Sequence, residues 1–72
     1  MSKEDIYKKL GKNIKKFREE KHFSQEDLAY KISSARNYIG CIERGEKHPS
    51  LTIIYKIAQA LEKEVKDLVE GF

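Results

Sequence analysis

Tryptophan is absent, and cysteine, proline and methionine occur once each in 72 residues. The single cysteine, Cys41, excludes an internal disulfide framework and suits a reducing compartment, although one thiol can still pair between chains. One proline and four glycines leave few breakers, and no linker or low-complexity stretch is visible. No apolar run approaches the ~20 residues of a membrane span, and the first ten residues are too charged for a signal peptide. A cytoplasmic protein without membrane contact is therefore expected. The length allows one domain, residues 1–72, whose core is too small to enclose a catalytic cavity.

Enzymatic signatures are missing as well. There is no phosphate-cradling glycine loop and no HExxH, and His22, His48 and Cys41 fall in different segments without metal-ligand spacing. Neither catalysis nor a metal, cofactor or small-molecule ligand is expected. Sustained period-2 alternation and hairpin turns are lacking too, so strands have no support.

What the chain has is charge and helical periodicity. Residues 1–48 hold twelve Lys/Arg against eight Asp/Glu, and residues 49–72 hold three against four. A basic front with a slightly acidic tail is compatible with a nucleic-acid surface on one side. Ile6, Leu10, Ile14 and Phe17 mark one face of a first helix ending near Lys21 or His22. "FSQEDL" follows, with Ser24 placed to cap a second helix, Asp27 to reach back, and Phe23 to pack on Leu28. Leu28, Ala29 and Ile32 form the inner side of that helix. After Ser33 and Ser34 comes a third helix, about 35–44, bearing Tyr38, Ile39 and Ile42 and ended at Gly45. Pro49 and Ser50 then introduce a fourth helix through Leu51, Ile54, Ile57, Ala58 and Leu61. Val65, Leu68 and Val69 suit a short fifth helix. The fold class is all-α.

The second and third helices, within residues 24–44, have the spacing of a helix-turn-helix, whose second helix enters the major groove of DNA. Spacing alone also fits an ordinary helical hairpin. Three stretches say more: "LGKNIKKFREEKHFSQEDLAYKI", "NYIGCIERGEKHPSL" and "IYKIAQAL". With them the chain from Leu10 to Leu68 resembles the Cro/repressor (XRE) helix-turn-helix family, which implies a compact five-helix bundle of the lambda-repressor-like type. The resemblance implies that Gln25 touches phosphate, that Arg36, Asn37 and Cys41 read base edges, and that Arg18 pairs with Glu43. Chemistry agrees: Arg36 can fork onto guanine O6 and N7, and Asn37 onto adenine N6 and N7. The alternative for both is exposed polar positions in a first turn.

Further residues join this face. Ser24, Tyr38, Arg44, Lys47 and His48 are candidates for contacts to the DNA backbone, with solvation or plain capping as the alternative. Asn37, Gly40, Cys41 and Arg44 follow i, i+3, i+4, i+7 spacing opposite Ile39 and Ile42, which places Gly40 on the same side, where a missing side chain gives clearance. Cys41, an unusual base-reading residue and itself a departure from the family pattern, is a weak donor suited to apolar contact with a thymine methyl, or to no base contact.

Departures from the family pattern concern the turns. Ala35 stands where a capping Ser, Asp or Thr is usual, so the third helix lacks its cap unless Ser34 serves one residue earlier. Glu62 stands where a helix-ending glycine is common.

These features imply a sequence-specific double-stranded-DNA-binding regulator of transcription, acting as a homodimer on a two-fold operator. Ile53, Tyr55, Val65, Val69 and Phe72, with segment 62–72, are the expected dimer contact, or else they complete the monomer core. Small stand-alone regulators such as restriction-modification controller proteins are the nearest analogy. A contact with RNA polymerase would fall to Glu19, Glu20 and Glu26, with plain solvated charge as the alternative. The alternative function is a protein-protein module, antitoxin-like or bridging, on the same scaffold.

Overall fold

A computed structural model describes residues 2–72, and the described residues form five helices and no strand: α1 Lys3–Glu20, α2 Gln25–Lys31, α3 Arg36–Glu43, α4 Leu51–Ala60 and α5 Val65–Leu68. Local chemistry starts most of them. Ser2 caps α1 by accepting from the Asp5 N–H, and Ser50 caps α4 by accepting from the Ile53 N–H. At α2 the expected capping box is complete, since Ser24 Oγ accepts from the Asp27 N–H at 3.0 Å and Asp27 Oδ2 from the Ser24 N–H at 2.8 Å. Helix α5 opens on Glu64, whose N–H donates to Asp67 Oδ2 at 2.9 Å.

The Asp27 carboxyl lies below the usual carboxylate range, chiefly because the Ser24 N–H bonds its charged form. A depressed carboxylate contributes stability that is present above its unfolded pKa and is lost as pH falls through the folded value. Thermal melts are therefore expected to drop on acidification below about pH 4, and less steeply for Asp27→Asn. Equal slopes in the two proteins would contradict the cap's share.

Helix α3 begins on Ala35 without any side-chain cap, so Ser34 does not take over. One orphan donor set is left to water, and Ala35→Ser is expected to raise stability by about 1 kcal/mol in urea titrations. An unchanged midpoint would refute the assignment of Ala35 as the N-cap.

Four helices end in one pattern. His22, Ser33, Gly45 and Glu62 all take positive φ, at 61°, 56°, 77° and 58°. Beyond each, the next residue reaches back to the last turn, with Phe23 N–H on Arg18 O at 3.1 Å, and Ser34 on Ala29 O, Glu46 on Cys41 O and Lys63 on Ala58 O at 2.8 Å. Glu62 thus ends α4 in the left-handed conformation without being glycine, and its side chain pairs with Lys21. Gly45 has a second reason, because a Cβ there would lie 2.8 Å from Lys8 Cγ of α1.

The core gathers Leu10, Ile14, Leu28, Ile32, Ile39, Ile42, Ile57, Leu61 and Leu68 with Ala29 and Ala58. The inward stripe of α1 is Leu10, Gly11, Ile14 and Arg18, whereas Ile6 and Phe17, expected on that face, are half-buried. Phe17 sits at the rim, where the ammonium groups of Lys16 and Lys63 lie 5.4 and 4.7 Å from its ring centre. Leu51, expected inside, is 72% exposed at the start of α4, although Ile53 and Ile54 of the same turn pack against the core. The chain end is tied to α1: Asn13 Nδ2 donates to Leu68 O at 2.8 Å and Glu70 O at 3.0 Å. No helix among the described residues is long and apolar enough to cross a membrane.

Candidate nucleic-acid interface

Helix α3 has two unlike sides. Ile39 and Ile42 are buried in the core and Glu43 is buried beside Arg18, while Arg36 and Asn37 are exposed. The outer side opens with Gln25 of α2 into a shallow depression of about 370 Å³ lined by Gln25, Arg36, Asn37, Gly40, Cys41 and Arg44. These six were all singled out in the sequence, and the fold brings them to one place.

Behind the depression lies the ion pair. Arg18 Nε meets Glu43 Oε2 at 2.6 Å and Nη2 meets Oε1 at 3.1 Å, a two-pronged bond between α1 and α3. Arg18 Nη1 also donates to Phe23 O at 2.7 Å, joining the α1 end to the entry of α2. The Glu43 bond holds the Arg18 guanidinium above its already high pKa despite burial. No buried side-chain polar atom among the described residues lacks a partner.

Gln25 carries a contact that the sequence did not signal: its Nε2 donates to Glu43 Oε1 at 3.0 Å. The side chain thereby crosses from α2 to α3 above Gly40. A Cβ built on Gly40 would stand 3.5 Å from Gln25 Oε1 and 3.1 Å from Arg44 Nη1. Gly40 does line the depression, but it is buried beneath these two side chains, so its clearance is filled by the chain's own atoms.

Arg44 bridges the outer side of α3 and the loop that follows it. Its Nε donates to Glu46 Oε2 at 3.0 Å and its Nη2 lies 3.5 Å from Cys41 Sγ. The pair raises the Arg44 pKa and lowers that of Glu46, yet both partners are exposed and such pairs contribute little. His48 is exposed and stacks on Tyr7 of α1, with ring centres 3.9 Å apart at 14°. Lys47 is exposed, and Ser24 is occupied by its cap. Tyr38 packs partly against the core, which keeps only its outer edge open.

Among the expected dimer residues, Ile53 and Val65 pack against the core. Tyr55, Val69 and Phe72 remain exposed, at 54%, 37% and 43%, and Leu51 joins them unforeseen.

Gly40 permits a direct test. Gly40→Ala gains up to about 1 kcal/mol of helix propensity, and the close neighbour is the flexible tip of Arg44. Denaturation should show a stable or slightly more stable protein. Gly40→Leu should keep the helical circular dichroism while displacing Gln25 and Arg44, with a loss of duplex affinity. Unchanged affinity in the leucine variant would make Gly40 a tolerated defect.

Two short helices meeting across a tight turn, the second showing one packed and one polar side, define a helix-turn-helix. The chain belongs to the Cro/repressor (XRE) helix-turn-helix family: the family pattern described as Helix-turn-helix matches residues 14–68. It is similar to the control protein C.BamHI of Bacillus amyloliquefaciens, with 41% identity over 62 residues, 85% of this chain and 76% of that one. Among solved structures, the restriction-modification controller protein C.AhdI from Aeromonas hydrophila superposes with a TM-score of 0.83 and 39% identity, covering 89% of this chain and 96% of that chain. SinR, a master regulator for biofilm formation solved in complex with DNA, gives 0.80 and 34%, covering 85% and 98%.

Proposed function

We propose that this protein is a sequence-specific double-stranded-DNA-binding regulator of transcription. The observation that carries the reading is the depression on the outer side of α3, where Arg36 and Asn37 are exposed beside Gln25, Cys41 and Arg44. In this reading Arg36 and Asn37 read base edges with Cys41 as an apolar neighbour, and Gln25, Ser24, Tyr38, Arg44, Lys47 and His48 serve the DNA backbone. Arg44 can release Glu46 for a phosphate at small expense, since that pair is exposed.

A single recognition helix touches few base pairs, so the protein works as a homodimer on a two-fold operator with half-sites about one helical turn apart. The exposed apolar residues Leu51, Tyr55, Val69 and Phe72 supply the surface for a second copy. Its similarity to control proteins favours restriction-modification genes as the target. Glu19, Glu20 and Glu26 are exposed and would be the contact to RNA polymerase. A protein-docking role would call for an apolar patch on α2 and α3, where Tyr30, 85% exposed, is the one large apolar side chain on show.

Selection of bound duplexes from a random pool tests the reading. A palindromic site, bound with an affinity that falls steeply with salt, is the expected result. Absence of binding at low salt would overturn it.

A further inference from the structure

Glu43 serves two donor side chains at once. Its Oε1 accepts from Arg18 Nη2 at 3.1 Å and from Gln25 Nε2 at 3.0 Å, while Oε2 accepts from Arg18 Nε at 2.6 Å. An ionised carboxylate has no proton to give, so the Gln25 amide can meet it only through nitrogen. The flipped amide would set Oε1 against a carboxylate oxygen. Gly40 lies beneath it, where even an added Cβ would stand at ordinary contact distance, 3.5 Å from Gln25 Oε1 and 3.8 Å from Nε2. A flexible side chain at the edge of the depression is thus anchored at its tip.

Resting on the DNA-binding reading above, we infer that Glu43 is a positioning residue for Gln25. Besides neutralising Arg18, it holds the Gln25 amide in one polarity at the edge of the depression, with the second N–H left for a phosphate oxygen of the duplex. The side chain is then ordered before DNA arrives. Ordering a rotamer-rich side chain at the moment of binding would otherwise weaken affinity by between about two- and tenfold. Glu43 reaches the DNA through Gln25 and touches none of it.

The test is a double-mutant cycle on affinity for a duplex of arbitrary sequence at low salt, read by fluorescence anisotropy. Glu43→Asp keeps the charge beside Arg18 but withdraws the carboxylate by one methylene. It is expected to weaken binding about tenfold in the otherwise natural chain and hardly at all in a Gln25→Ala background. Equal losses in both backgrounds would overturn the inference. Should Glu43→Asp unfold, the paired replacement Arg18→Met with Glu43→Met, which leaves no charge buried, takes its place in the cycle.

A second readout needs no DNA. In nitrogen-labelled protein the Gln25 side-chain NH2 should show two well-separated protons with slowed exchange, reverting to ordinary glutamine values in the Glu43 variant. Ordinary values in the natural chain would overturn the inference whatever the duplex does. An anchored Gln25 amide in a chain that binds no duplex would instead sink the DNA-binding reading.

Discussion

Gly11→Ala is expected to destabilise the protein by about 3 kcal/mol, against the sign that helix propensity alone would give. Within a helix, alanine gains roughly 1 kcal/mol over glycine. Here the added methyl would lie 2.4 Å from Ile42 O and 2.5 Å from Glu43 O, both backbone atoms at the end of α3. No rotamer change relieves a clash with backbone, so α1 and α3 must separate. Overpacking of this kind typically costs about 1–3 kcal/mol, and the separation would also loosen Leu10 and Ile14, which share one core cluster with Ile39 and Ile42. A domain of this length has about 4 to 11 kcal/mol in total, so the loss is a large share. Urea denaturation measures it, and a variant as stable as the natural chain would refute the close approach.

The contrast with Gly40 is instructive, because both glycines sit inside helices with the same intrinsic penalty. What separates them is the neighbour: backbone carbonyls at Gly11, a movable guanidinium at Gly40.

Glu43→Gln is expected to cost about 3 to 5 kcal/mol. The side chains of Arg18 and Glu43 are only 9% and 3% exposed, so removing the carboxylate's charge leaves a guanidinium buried without its counter-ion. Burial opposes that charge and the Glu43 bond offsets it, as the raised Arg18 pKa reflects. Replacing both residues by methionine should recover much of the loss, since an apolar pair of similar volume is often neutral or better. Denaturation of the single and double variants checks both statements. A Glu43→Gln protein with an unchanged melting temperature would refute them.

Local signals in the sequence carried far. The Ser24/Asp27 box and the Ser50 cap depend on residues three apart, and Gly45 is a conventional helix end. The Arg18 and Glu43 pair, 25 residues apart, has no local signature and was reached through family resemblance. Gly11 passed unremarked because its reason lies in the distance to another helix. Glu62 was singled out as standing where a helix-ending glycine is common, but that it, with His22 and Ser33, keeps the left-handed conformation was not legible, since glycine is the usual marker and none of them is glycine. Leu51 and Phe17 show a further limit: periodicity tells which side of a helix is apolar, but where the neighbouring helices stop decides how much of it is covered.

The division of α3 into a packed and an open side bears on how such a regulator can change. Ile39, Ile42 and Glu43 are locked into the core and the ion pair, so variation there is penalised through folding. Arg36 and Asn37 are exposed and make no side-chain hydrogen bond among the described residues. Substitutions at those two positions are expected to be nearly neutral for stability, so that, under the proposed DNA-binding role, operator preference would be free to drift while the scaffold stays constant. Evolvability of recognition would then be confined to the first turn of one helix, which is where a library for redirecting the protein to a new site should be placed.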